Sequence, residues 1–173
     1  MASAHPKFTI HENSSTSDEL FHPHGHGKRV IAVSVDDKTN SDEVIDWALE
    51  HIIDKDSDFI VLIHVRLSDR AADFSTLGGY IDDPHGVEKQ KEHSHEILSN
   101  YGHKLQEAGC HVKAYSLVGE PGHEIVKKTT ELKADHLVMG TRGLSSVKKM
   151  FLGSVSEYCS KHCTCGISVV KTH

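Results

Sequence analysis

The chain has 173 residues, of which 37% are hydrophobic, enough to build a conventional core in one domain. Its 19 Lys and Arg residues are outnumbered by 25 Asp and Glu residues, which gives a formal net charge of −6. This balance argues against broad electrostatic attraction to nucleic acid or to an anionic membrane surface. The four cysteines, three of them crowded near the end of the chain, lack the spacing of a secreted disulfide framework.

The N-terminal segment differs in composition from the rest. Residues 1–28 are polar and rich in Ser and His, and their apolar residues are too scattered to define a face. We therefore predict a disordered tail over residues 1–28 and a domain over residues 29–173. Charged residues interrupt every apolar run, and the N-terminal residues lack the basic-then-apolar pattern of a secretory signal. We expect a cytoplasmic protein without a membrane partner.

Apolar runs and helical patterns alternate from residue 29 onward. Residues 29–35 and 59–65 are almost continuously apolar, which predicts two strands of a parallel sheet that is covered on both faces. Between these runs, Asn40 and Glu43 have the spacing of a capping box at the start of an amphipathic helix.

The second half of the chain continues this alternation. Residues 68–86 contain Gly and Pro without a clear period and predict a long loop, and the next helix spans residues 87–108 and stops at Gly109. A third strand over residues 111–118 alternates apolar and polar residues, so we expect it at an exposed sheet edge. The remaining predicted elements are a helix over 122–132, a strand over 135–140, a helix over 154–162 and a strand over 167–171. Together they predict a doubly wound α/β fold with five parallel strands.

Glycines mark the connection after the fourth predicted strand. Gly140 and Gly143 open a loop, and after nine intervening residues Gly153 and Ser154 close it where a helix begins. Glycine lets the main chain approach a phosphate closely, and the N–H groups and dipole of a helix N-terminus favour an anion. The loop also carries positive charge, from Arg142, Lys148 and Lys149. This combination favours a phosphate-binding loop over the plainer alternative, in which the glycines only make turns.

The glycine arrangement resembles the nucleotide-binding signature of the universal stress protein family. The likeness extends through residues 138–144 and 151–156 and includes a first strand that ends in Asp36, and it covers residues 29–171. It implies a Rossmann-like sheet of strand order 3-2-1-4-5, with a crevice where the first and fourth strands part, outside their C-terminal ends. It also implies binding of ATP, or of AMP or ADP, with Mg²⁺ accompanying the nucleotide, and a homodimer paired through the last strand.

The resemblance assigns roles to individual residues. Asp36 is implied to lie against the adenosine half of the nucleotide, and Val65 to contact the adenine edge through its backbone. Met139 and Val155 are implied to flank the nucleotide. The complete predicted site is Val35, Asp36, Val65, Met139, Gly140, Arg142, Gly143, Gly153, Ser154 and Val155. No catalytic acid or lysine–serine pair is recognisable in the sequence, so we expect at most slow ATP hydrolysis.

Three alternatives remain beside this interpretation. Asp36 is also a residue type that caps or turns the chain after a strand. The cysteines and histidine at positions 159, 163, 165 and 162 suggest zinc, but they run from a helix into a strand and lack paired CxxC knuckles, so no metal site is predicted. A function through dimerisation alone, with no nucleotide, is the alternative from another class.

Overall fold

A computed structural model gives the fold and describes residues 8–12, 28–37, 40–67, 84–141 and 153–172. Within these ranges the chain forms six strands and four helices. In chain order they are β1 (Ile10–Glu12), β2 (Arg29–Ser34), α1 (Ser41–His51), β3 (Asp58–Arg66), α2 (Pro84–Glu107), β4 (His111–Val118), α3 (Pro121–Glu131), β5 (His136–Thr141), α4 (Ser154–His162) and β6 (Gly166–Lys171). All strand pairs are parallel, and the sheet order is β1-β4-β3-β2-β5-β6.

Helices cover both faces of this sheet, which confirms the predicted doubly wound architecture. One core contains Ile31 and Val33 of β2 with apolar residues of α1 and α2, and the other contains Val30 and Ala32 with Ile125 of α3 and Cys159 of α4. The central strand β2 is thus buried on both sides, as its unbroken apolar run predicts. The strands β4-β3-β2-β5-β6 also have the expected 3-2-1-4-5 order.

A sixth strand corrects the predicted count of five. β1 lies inside the segment expected to be a tail, and it pairs with β4 from Ile10 opposite Ala114 to Glu12 opposite Ser116. The expectation that residues 111–118 form an exposed edge is therefore wrong, since five consecutive residues of β4 are buried. The alternation of apolar and polar residues was misleading because it assumes that the polar residues face solvent, whereas polar residues of β4 such as Ser116 are buried.

Specific contacts hold β1 in place despite its short length. A methyl group added at Gly102 of α2 would lie 2.1 Å from the Phe8 ring, so the ring occupies the space that this glycine leaves. Ile10 packs against the core between the sheet and α2. Glu12 accepts hydrogen bonds from Arg66 and from His95, the second at 2.6 Å. A scattered apolar pattern is therefore enough for three residues that dock on an existing sheet.

Helix ends differ from the sequence predictions in two places. α2 begins at Pro84, so the end of the predicted 68–86 loop is helical, and residues 68–83 lie outside the described residues. Asn40 precedes α1 but makes no side-chain capping bond, which makes the predicted capping box wrong. Its amide donates to Glu43 Oε1 at 2.6 Å instead. Gly109 ends α2 with a positive φ of 91°, as expected.

We predict that Gly102→Ala destabilises the protein when Phe8 is present and stabilises it in a Phe8→Ala background. Glycine-to-alanine changes inside a helix ordinarily gain up to about 1 kcal/mol. Here the added methyl group meets the Phe8 ring and must displace it. The free energies of unfolding of the wild type, both single variants and the double variant, from urea titrations, measure this change of sign. A stabilising Gly102→Ala change in the wild-type background would contradict the packing of Phe8 on α2.

Candidate functional site

The candidate site is a crevice at the C-terminal ends of β2 and β5. The helix that follows β2, α1, covers one face of the sheet, and the helix that follows β5, α4, covers the other. Neighbouring parallel strands whose connections depart to opposite faces leave an open space between their ends. Asp36 follows β2 at this point, and Gly140 is the penultimate residue of β5.

A cavity of about 40 Å³ lies between these strand ends and the start of α4. Ser34 and Asp36 line it from the β2 side, and Met139 and Gly140 line it from β5. The third wall is the first turn of α4, contributed by Gly153, Ser154, Val155 and Ser156. Six of the ten residues predicted from the sequence therefore meet around one cavity.

A second cavity of about 110 Å³ adjoins the first and shares Ser34, Asp36 and Val155 with it. Val35 and Val65, two of the four predicted residues absent from the first cavity, line this one. Its wall on the α3 side is apolar and includes Pro121 and Ile125. The remaining predicted residues, Arg142 and Gly143, lie outside the described residues, as do Lys148 and Lys149.

The N-terminus of α4 forms one wall of the first cavity. Gly153 is the N-cap residue, with φ −59° and ψ 154°, and it makes no side-chain cap. Glu157 N–H donates to the Gly153 carbonyl at 2.9 Å, so the N–H groups of residues 154–156 precede the first helical hydrogen bond. Among the described residues, a Cβ at Gly153 would meet Ser156 Oγ alone, at 3.7 Å. This helix end therefore carries partial positive charge beside the cavity.

Asp36 is held by a reciprocal contact with the start of α1. Its N–H donates to Ser41 Oγ at 3.1 Å, and Ser41 Oγ donates to the Asp36 carbonyl at 2.9 Å. Ser41 is buried at the first position of the helix. Asp36 thus does make a turn after its strand, as in the alternative without a nucleotide, but the contacts involve its backbone. The residue also lines both cavities.

His64 belongs to the crevice although the sequence analysis did not select it. The residue is 6% exposed and lines the second cavity, and its Nδ1 lies 2.7 Å from Ser94 Oγ of α2. Burial lowers the pKa of His64 below 6.5, against the opposing charges of Asp37 and Asp36. The available signal was a titratable residue in an otherwise apolar strand, directly before Val65.

A third cavity, of about 260 Å³, lies on the α2 side of Asp36. Its lining is acidic, with Asp36, Asp37 and Asp42 facing one basic residue, Lys104. Lys104 Nζ is itself paired with Asp42 Oδ1 at 2.9 Å and with Asp46 Oδ1 at 2.7 Å. An anion is therefore disfavoured here and favoured beside α4.

The cysteines near the C-terminus pack as small apolar side chains. Cys159 is fully buried, and burial together with the neighbouring Cys163 raises the pKa of its thiol to about 12. The same causes raise the pKa of Cys165 to about 11. Among the described residues, no group of three or more His, Cys, Asp or Glu side chains has a geometry that could hold a metal ion. Nor is any helix in the described ranges long and apolar enough to cross a membrane.

We predict that lowering the pH from about 7 to about 5 reduces the stability of the protein less in His64→Asn than in the wild type. The pKa of His64 in the folded state is below its ordinary value of 6.5, so the unfolded chain takes up the proton first. The stability contributed by the neutral ring is complete above that value and is lost as the pH falls through the window between the two pKa values.

Urea unfolding of both proteins across this pH range measures the difference in slope. Asparagine retains an acceptor for Ser94 but does not titrate. Burial also lowers the pKa of His136, but this residue is present in both proteins and its effect cancels in the comparison. Identical slopes would contradict the assigned environment of His64.

Comparisons with known proteins agree with this architecture. The model of the universal stress protein family matches residues 28–171. Universal stress protein YxiE of Bacillus subtilis is 30% identical over 146 residues, which are 82% of this chain and 97% of the relative.

Two solved structures have the same fold. A universal stress protein family protein from Arabidopsis thaliana with AMP bound superposes with a TM-score of 0.59 at 23% identity, over 84% of this chain and 92% of that one. The universal stress protein from Archaeoglobus fulgidus in complex with dAMP gives a TM-score of 0.56 at 21% identity, over 84% and 98% of the two chains. The family match and the 30% identical relative show that this chain belongs to the universal stress protein family.

Proposed function

We propose that this protein binds an adenine nucleotide in the crevice between β2 and β5, and that it acts as a nucleotide-dependent regulator in the cytoplasmic stress response. One observation carries the proposal. The start of α4, the end of β5 and Asp36 surround the same cavity, so an anion-binding helix end adjoins an acidic residue suited to a sugar. The AMP and dAMP bound by the two solved relatives support this ligand class.

The phosphate groups are assigned to the first cavity. The N–H groups at the start of α4 and the backbone of Gly140 supply donors where the helix dipole favours negative charge. Arg142 and Gly143 are proposed to add a positive charge and a further close approach of the main chain. Mg²⁺ is proposed to arrive with ATP, held by the phosphate oxygens that it prefers as ligands.

The nucleoside is assigned to the second cavity. Asp36 borders both cavities, and its carboxylate oxygens are acceptors for ribose hydroxyl groups. Val35 directly follows β2, and Val65 is the penultimate residue of the neighbouring β3; a backbone contact with the edge of the base is proposed for Val65. Met139 and Val155, with Ile125, provide apolar contacts around the nucleotide.

A second candidate function depends on the sheet edge. Among the described strands, β6 pairs with β5 on one side only, and Ile167 and Val169 are half-buried. An unpaired apolar edge strand favours association, which supports a homodimer through two copies of β6. If the dimer rather than the nucleotide carries the function, the protein is a scaffold.

The chemistry needed for rapid phosphoryl transfer is not recognisable, so hydrolysis of ATP is proposed to be slow at most.

Isothermal titration calorimetry of the full chain with AMP, ADP, ATP with Mg²⁺, and GTP tests the proposed ligand. We expect one adenine nucleotide to bind per chain, and GTP to bind more weakly. The thermal unfolding midpoint should rise with the nucleotide concentration, because the ligand binds the folded state. Absence of heat and of any midpoint change at millimolar nucleotide would refute the proposal and leave the scaffold function.

We predict that Gly153→Asp weakens AMP binding at least about tenfold relative to Gly153→Asn, because the added carboxylate repels the phosphate across a short distance. Asp and Asn have nearly the same size and are equally good N-cap residues, so both variants should match the wild-type stability to within a few tenths of a kcal/mol. Within the described part of the chain, a Cβ at this position makes an ordinary van der Waals contact with Ser156 Oγ, at 3.7 Å. Calorimetric titration of both variants measures the effect, and equal affinities would place the phosphate away from α4.

A further inference from the structure

A buried chain of hydrogen bonds connects the N-terminal strand β1 with the crevice. Arg66 donates from Nη2 to Glu12 of β1 and from Nε to Ser116 Oγ, the second at 3.2 Å. Ser116 Oγ lies 2.8 Å from Ser94 Oγ, and Ser94 Oγ lies 2.7 Å from Nδ1 of His64. Ser116 and Ser94 are fully buried. The chain thus crosses the layer between the sheet and α2 and ends at a cavity wall.

The direction of donation along this series of hydrogen bonds follows from the residue types. A guanidinium group only donates, so Ser116 Oγ is the acceptor for Arg66. Within the part of the chain that the structure describes, the acceptor for the hydroxyl proton of Ser116 is Ser94 Oγ. Ser94 therefore donates its own proton to Nδ1 of His64. An imidazole that accepts at Nδ1 carries its proton on Nε2.

This assignment leaves His64 with one unused donor. His64 lines the second cavity together with Val65 and Asp36. No described residue makes a hydrogen bond to Nε2, whereas Nδ1 is occupied by Ser94. Burial keeps the ring neutral near pH 7 by lowering its pKa, so its action on a ligand is that of a directed donor rather than a charge.

We propose that His64 is a binding residue that donates its Nε2–H to an acceptor atom in the nucleoside part of the ligand, and that Arg66 and Glu12 are positioning residues that fix its tautomer. The inference rests on the proposed function, because it assumes a nucleotide in the crevice. The nucleoside is chosen over the phosphate because His64 lines the cavity of Val65, not the cavity at the start of α4.

The positioning role extends the site beyond the segment that the family match covers. Glu12 lies outside residues 28–171 and is connected to the crevice through these hydrogen bonds. The carboxylate also accepts from His95 Nε2 at 2.6 Å, which ties β1 to α2 beside Ser94. Loss of Glu12 would leave the largely buried Arg66 without its carboxylate. Arg66 would then no longer be held where it donates to Ser116 and sets the orientation of that hydroxyl group.

Two substitutions of His64 separate a binding role from a purely structural one. His64→Asn keeps an acceptor near the position of Nδ1 for Ser94 but removes the distal donor. His64→Gln keeps a distal N–H donor but loses the acceptor near Ser94. We expect AMP affinity, measured by calorimetry on the full chain at pH 7.5, to fall roughly tenfold in His64→Asn and less in His64→Gln.

A larger loss in His64→Gln than in His64→Asn, or wild-type affinity in His64→Asn, would overturn the inference. If the wild type binds AMP and His64→Asn binds it with the same affinity, this inference alone is refuted and the proposed function stands. Wild-type protein that binds no AMP would refute the proposed function and, with it, the role of His64.

The tautomer itself is measured by ¹⁵N NMR of the histidine side chains in the nucleotide-free protein. We expect the Nε2–H form of His64 in the wild type, and a mixture of both neutral forms in Ser116→Ala and Glu12→Gln, with weaker AMP binding in both variants. Ser168→Ala is the matched control, because it removes a serine–histidine contact of 2.9 Å, to His136, outside the crevice. An Nδ1–H form in the wild type, or an unchanged tautomer in Ser116→Ala, would contradict the inference.

Discussion

The site depends on one constraint: α1, which follows β2, and α4, which follows β5, pack on opposite faces of the sheet. In the described part of the chain, helices cover both faces of the sheet, and the two adjoining cavities lie at the strand ends. At the C-terminal ends of β2 and β5, the turn to α1 and the start of α4 diverge. The buried β2, paired on both sides, holds these two ends at a fixed separation.

The crevice brings together hydrogen-bond donors and an acidic acceptor around two adjoining cavities. Main-chain donors lie at the start of α4, the acidic Asp36 lines both cavities, and His64 lines the second. The polar layer behind His64 also gives β1 a structural purpose. The Arg66 side chain is only 10% exposed, and a charge in that position requires a partner, which Glu12 supplies.

The sequence was sufficient for the domain core, since unbroken apolar runs such as residues 29–35 and the helical spacing between them are strong local signals. It failed at β1, because residues 10–12 are stabilised by tertiary contacts with β4 and α2 rather than by a local pattern. Eight of the ten selected site residues line the adjoining cavities. His64 was missed because its importance arises from Ser94, thirty positions away, which no local pattern connects to it.

The most direct test of the central claim is a crystal structure of the full chain with AMP. The account predicts that the phosphate lies at the first turn of α4 and the adenosine between Asp36 and Val65, within hydrogen-bonding distance of an imidazole nitrogen of His64. Nucleotide density on another surface, or a phosphate in the acidic cavity beside Lys104, would contradict it.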